Sequence, residues 1–116
     1  MTMESQLLAV LGPLVGGRAY PDFAPEDAAL PYVTYQAVGG QPINYTEGSV
    51  PDIENARVQI NVWAARRIPA SELGKQVEDA MRLAPSLRTT VITGRVATFD
   101  EETGYRGTRQ DFSIYT

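Results

Sequence analysis

Five short stretches of the sequence carry residue types at spacings that could do chemistry. Gly12-Pro13-Leu14-Val15-Gly16-Gly17-Arg18-Ala19 is glycine-rich like a phosphate-binding loop, yet it lacks the Lys-Ser/Thr pair and follows no strand pattern. Asp100-Glu101-Glu102-Thr103-Gly104-Tyr105 has the acids of a calcium loop, but Tyr105 stands where such a loop needs its glycine, and a solvated hairpin turn explains it better. Ser71 and Lys75 are four apart rather than three, so they do not form a Ser-x-x-Lys nucleophile. Glu78 and Asp79 are adjacent on a predicted helix, so they point in different directions and cannot share a proton. Arg66-Arg67 could touch a phosphate, but a pair of arginines in a turn is equally a solubilising surface.

The composition narrows the chemistry further. The 116 residues include no cysteine and no histidine, which excludes disulfides, thiol nucleophiles, thiolate or imidazole metal ligands and the commonest general base. No cofactor, metal or catalytic residue is expected. Hydrophobic residues at 43% and charged residues at 21% suit one globular domain, residues 1–116. No apolar run suits a membrane span, and the N-terminal stretch has no basic region ahead of its apolar residues, so neither a signal peptide nor a membrane partner is expected. The Asn44-Tyr45-Thr46 sequon is read as chance on that basis.

The net charge of −4 is unevenly spread. Residues 1–55 hold Arg18 alone against Glu4, Asp22, Glu26, Asp27, Glu47, Asp52 and Glu54, whereas residues 56–116 hold nine basic and seven acidic side chains. Ordinary scatter is one reading. The other is a polar subunit whose unlike faces attract each other in an oligomer. An acidic chain is also a poor candidate for sequence-specific nucleic-acid binding.

Periodicity supplies the elements that would position these charges. Leu7, Leu8, Leu11, Leu14 and Val15 predict a first helix over 3–15, with Pro13 ending or kinking it near Gly12. Residues 18–31 read as a proline-punctuated loop, and Tyr32 to Val38 as a strand. Residues 39–56 are glycine- and proline-containing with few periodic apolar positions, and predict a long loop or a hairpin arm. Asn55 to Ala65 alternates as a strand, and 70–84 is an amphipathic helix with Ser71 as its N-cap and Pro85 as its stop. Two more strands follow, Val91 to about Asp100 with a bulge at Gly94, and Tyr105 to Tyr115. The fold expected is α+β: a two-layer sandwich of a mostly antiparallel four-stranded sheet, with two helices on one face and the long loop or arm beside it.

That architecture leaves one sheet face uncovered. Val58, Ile60 and Val62 should pack with Phe112 and Ile114 beneath Leu73, Val77 and Met81. Arg57, Gln59, Asn61 and Trp63 should then share the open face with Arg109 and Tyr115, a composition typical of protein interfaces. Trp63 is either covered there by a partner or tucked under the Arg66–Pro69 turn. The candidate subunit interface therefore comprises an acidic set, Glu47, Asp52 and Glu54, and a basic and aromatic set, Arg57, Gln59, Trp63, Arg66, Arg67, Arg109 and Tyr115.

The order Leu-Pro-Tyr-Val-Thr-Tyr-Gln-Ala-Val, glycine- and proline-containing gap, Arg-Val-Gln-Ile-Asn-Val-Trp-Ala, amphipathic helix and terminal Asp-Phe strand resembles the tail-completion, or tail-terminator, proteins of tailed bacteriophages and prophages. The resemblance runs from about Leu7 to the end, with Arg57, Gln59, Trp63, Asp111 and Phe112 at the matching positions. It implies a structural virion protein, made in the bacterial cytoplasm, that forms a ring, typically a hexamer. The ring would cap the tail tube at the head-proximal end, with copies of itself, the tail-tube protein and the head-tail connector as partners. The alternative from a different class is a cytoplasmic small-ligand-binding or enzymatic α+β domain, dimeric through its sheet.

Overall fold

The computed structural model describes residues 2–116. Helix α1 (Met3–Leu11) starts at Thr2, whose hydroxyl accepts a hydrogen bond from the Ser5 N–H at 3.1 Å and so caps the first turn. It ends at Leu11 with Gly12 as its C-cap, so Pro13 ends the helix near Gly12 rather than letting it run to 15. Pro13 has no N–H to continue the ladder, and the chain tightens into a 3-10 turn over Gly12–Leu14. Gly16 and Gly17 then close the segment at φ +59° and +85°, where an L side chain would be strained.

Strand β1 (Ala19–Pro21) lies inside the stretch read as loop and pairs parallel with β2 (Tyr32–Ala37), Ala19 opposite Val33. Three residues ending in proline give no period to detect, and Pro21 is tolerated because β1 is an edge strand. Strand β3 (Asn55–Ala64) runs antiparallel to β6 (Arg106–Tyr115) along its whole length and to β2 over Val58–Trp63.

Helix α2 spans Arg67–Leu83, three residues earlier than expected, with Arg66 rather than Ser71 at the N-cap position. Pro69, in the stretch read as a turn, lies inside the first helical turn. It falls at the third helical position, where the backbone N–H has no intrahelical acceptor anyway, so no bond is lost. The first helical bond is Ala70 N–H to Arg66 C=O. Pro85 stops the helix as expected, with Ala84 in extended conformation before it.

The strand expected over Val91–Asp100 is two, β4 (Thr90–Val91) and β5 (Val96–Phe99), both antiparallel to β6. The interruption contains Gly94, and there Ile92 and Thr93 both donate to the Asp111 carbonyl while Thr93 Oγ1 accepts from the Asp111 N–H. The sheet is thus six-stranded and open, not four-stranded, in the order β1-β2-β3-β6-β4 with β5 also beside β6. It is antiparallel except at β1–β2.

Both helices press on the same sheet face. Leu7 and Leu11 from α1 and Leu73, Val77 and Met81 from α2 form one buried core with Val33, Tyr35, Val58, Ile60, Val62, Phe112 and Ile114, as the paired periodicities required. Gly74 lets α2 approach β6 closely, since a Cβ there would stand 2.6 Å from Thr108 Oγ1.

Glu78, partly buried, ties α2 to the sheet edge. Its carboxylate accepts from Gln110 Nε2 at 2.8 Å, Arg95 Nη1 at 2.7 Å and Arg82 Nε at 3.1 Å. The Gln110 hydrogen bond is the main cause holding the Glu78 carboxyl below its usual value. Burial opposes it, and Arg82 and Arg95 add to it.

Candidate subunit interface

Strict alternation along β3 and β6 decides which side chains share the open face. Opposite residues in the ladder are Asn55 with Tyr115, Arg57 with Ser113, Gln59 with Asp111, Asn61 with Arg109 and Trp63 with Gly107, and all ten positions lie on the side away from the helices. Arg57, Gln59, Trp63, Arg109 and Tyr115 are therefore on one face, as the period-2 pattern requires. Among them only Arg109 is exposed, and the others are half-buried.

Two of the expected cations are not free. Arg57 reaches diagonally across the ladder and donates from Nε and Nη2 to Asp111 Oδ2 at 2.9 and 2.7 Å. Arg67 leaves the open face altogether: its guanidinium donates to the backbone carbonyls of Gly107 and Thr98, each at 2.7 Å, and so fastens the start of α2 to β5 and β6. Adjacent residues at a helix start diverge in direction, which separates Arg67 from its exposed neighbour Arg66.

Trp63 is half-buried by its own chain. Tyr32 of β2 stands directly opposite on one side and Gly107 of β6 on the other. The Arg66–Pro69 turn does not roof it, because Trp63 faces away from the helix layer that this turn begins. Tyr32 also meets Tyr20 and Tyr105 edge to face, at centroid separations of 6.1 and 6.5 Å. Burial, followed by the nearby Tyr105, Asp100 and Tyr20, raises the Tyr32 hydroxyl above its ordinary value. The sequence reading missed this aromatic group. Tyr32 was legible from the alternation of β2, but Tyr20 and Tyr105 come from segments whose placement only the fold supplies.

The acidic set lies elsewhere. Glu47, Asp52 and Glu54 are exposed on the segment between β2 and β3, and none of them forms an ion pair among the described residues. Asp52 shares a cleft with Arg88 without closing one. The base of the segment is held. Glu54 and Thr116 exchange both backbone hydrogen bonds, at 2.9 and 3.0 Å, and Gln41 N–H donates to Asn55 Oδ1 at 2.8 Å. Beyond the base there is no strand pairing, only a turn at Thr46–Glu47 closed by Gly48 N–H to Tyr45 C=O. The molecule measures 52 × 25 × 24 Å with a radius of gyration of 15.0 Å, longer than the roughly 13 Å of a compact chain this size.

The remaining candidates for chemistry act as structure. Lys75 pairs with Asp79 at 2.6 Å, while Glu78 points to the sheet. Asp100 Oδ1 accepts from the Glu102 N–H within the β5–β6 turn. No cluster of three potential metal ligands occurs among the described residues, and no helix among them is long and apolar enough to cross a membrane.

Comparison with known proteins agrees with this architecture. The sequence model of the family described as tail completion protein gp17 matches residues 5–116. A chain in the virion of a native gene transfer agent (GTA) particle superposes with a TM-score of 0.66 at 22% identity, over 96% of this chain and 89% of that one. The bacteriophage SPP1 gp17 protein superposes with a TM-score of 0.58 at 14% identity, over 97% of this chain and 87% of that one. No curated protein matches. The two superpositions show a shared fold, and the match across nearly the full sequence shows the kinship: the chain belongs to the tail completion protein gp17 family.

Proposed function

We propose that this chain is a structural protein of a phage-type tail. Its copies close into a ring, a hexamer, at the head-proximal end of the tail tube. The ring ends tube growth and presents a surface to the head-tail connector. Family membership supports the tail role.

One observation carries the ring. The acidic Glu47, Asp52 and Glu54 project from the β2–β3 connection at the Asn55 end of β3, with Arg88 beside Asp52, while Arg66 and Arg109, which form no ion pair among the described residues, lie toward its Ala64 end, near the acids of the β5–β6 turn. The one open-face arginine at the acidic end, Arg57, is already neutralised by Asp111. Unlike patches at opposite ends suit a heterologous contact, which closes into rings, better than a self-complementary dimer. The alternative of a ligand-binding or enzymatic domain has no observation of the site in its favour.

The test is genetic. In a phage or prophage carrying this gene, its deletion should leave tails of irregular length that fail to join heads. A Trp63→Ala, Arg57→Glu variant is a poor probe of the contact, because Arg57→Glu also breaks the Asp111 pair. Arg66→Glu with Arg109→Glu spares the folded subunit and should reproduce the deletion phenotype. Uniform tails joined to heads after deletion would refute the tail role. Uniform tails with the double variant alone would refute the contact.

A further inference from the structure

We infer that the apolar cleft at the start of α2 receives the β2–β3 segment of a second copy of this chain, with Val50 as its anchor. The inference rests on the ring reading for the assembly it builds, though the contact stands on its own observations. The cleft encloses about 370 Å³ and is lined by Leu14, Leu30, Pro31, Pro69 and Leu73. Arg66 and Glu72 form its polar rim, and Arg66 is exposed with no ion pair among the described residues.

The segment offers the complement. Val50 is 87% exposed, above every other large hydrophobic side chain among the described residues. Glu47, three residues before it across the Gly48 bend, accepts from Ser49 Oγ and forms no ion pair among the described residues. Val50 in the cleft would bring Glu47 to Arg66, so the apolar and charged parts of the contact agree.

The occupant must come from another copy. The segment leaves the sheet beside Asn55 and the cleft begins at Ala64, the two ends of the ten-residue β3, about 30 Å apart. Residues 41–54 go out and return to a closed base, so their farthest reach is about 23 Å even if fully extended. One copy's segment therefore meets the next copy's cleft, head to tail, and the contact leaves a free segment and a free cleft at the two ends of any open chain of copies. That is the property a ring closes.

The absence of cysteine makes the test clean. Val50→Cys and Ala65→Cys place single thiols on the segment and at the cleft. Mixed in equal amounts and oxidised, the two variants should form the mixed disulfide in excess over either homodimer. Arg66→Glu should lower its yield several-fold, and adding Glu47→Arg should restore it. A chain carrying both thiols should give a covalent ladder that ends at the ring number. Absence of the mixed disulfide, in free protein and in assembled tails alike, overturns the docking. Rings seen by microscopy without the link would leave the ring reading standing and sink this contact. A ladder that stops at a doubly linked dimer would keep the contact and sink the ring.

Discussion

Trp63 lies against Gly107, its direct cross-strand partner, and the glycine has no room for a side chain: a Cβ there would stand 2.9 Å from the indole Cε3 and 2.7 Å from Thr98 Oγ1, and closer still to the Val62 carbonyl. An aromatic ring laid over a strand glycine covers backbone that would otherwise be bare. Gly107→Ala should therefore destabilise the subunit by about 1–3 kcal/mol, the usual range for overpacking. Thermal unfolding followed by the fluorescence of Trp63, the sole tryptophan, measures it. An unchanged midpoint would mean that the indole does not rest on residue 107.

The Arg57–Asp111 pair is expected to stabilise the fold modestly. Asp111 is mostly buried and accepts two charged hydrogen bonds, but the Arg57 side chain is 43% exposed, so solvent screens part of the gain. Asp111→Ala should cost about 1 kcal/mol. The charge-reversed Arg57→Asp, Asp111→Arg protein should recover most of that loss in a urea titration. Failure of the reversal to recover anything would show that Asp111 acts through its other surroundings.

Glu78 predicts an acid limb in stability. Its folded carboxyl is held below the ordinary 4.5, chiefly by Gln110. A group lowered on folding contributes its stability fully above the unfolded value and loses it as pH falls through the folded one. Wild-type stability should thus decline below about pH 4.5 more steeply than that of Glu78→Gln, while at neutral pH the variant should be the less stable of the two. Parallel curves through that range would remove Glu78 from the account.

Ile60 tests the register. It is 2% exposed at the centre of the shared core, so Ile60→Ala should cost about 2–5 kcal/mol. A near-wild-type midpoint would mean that β3 presents its other face to the helices, reversing every placement on the open face.

Amide exchange should divide the β2–β3 connection. Glu54, Thr116 and Gln41 donate hydrogen bonds and should be protected in the isolated subunit. Between 42 and 53 only the Gly48 N–H donates to backbone among the described residues, so those amides should exchange nearly as in free peptide and slow on assembly. Slow exchange across 42–53 before assembly would show folded structure that the subunit lacks.

The sequence by itself determined the class, the core and the two faces of the sheet. Period 2 in 57–64 and period 3.6 in 73–81 are local properties, and burial acts on each side chain according to its direction. Val58, Ile60, Val62, Leu73, Val77 and Met81 accordingly lie where the pattern puts them. The sequence also contained the resemblance that its family membership bears out. What remained depended on long-range pairing. Strand β1 exists because β2 lies beside it, and no period betrays three residues ending in proline. The Thr90–Phe99 stretch splits because Asp111, on another strand, takes the backbone bonds of Ile92 and Thr93. Arg57 and Arg67 looked like free surface charge because a charge pattern along the chain is blind to partners. Asp111 is 54 residues from Arg57, and the Gly107 carbonyl 40 from Arg67, and only the tertiary structure brings them within 2.7 Å.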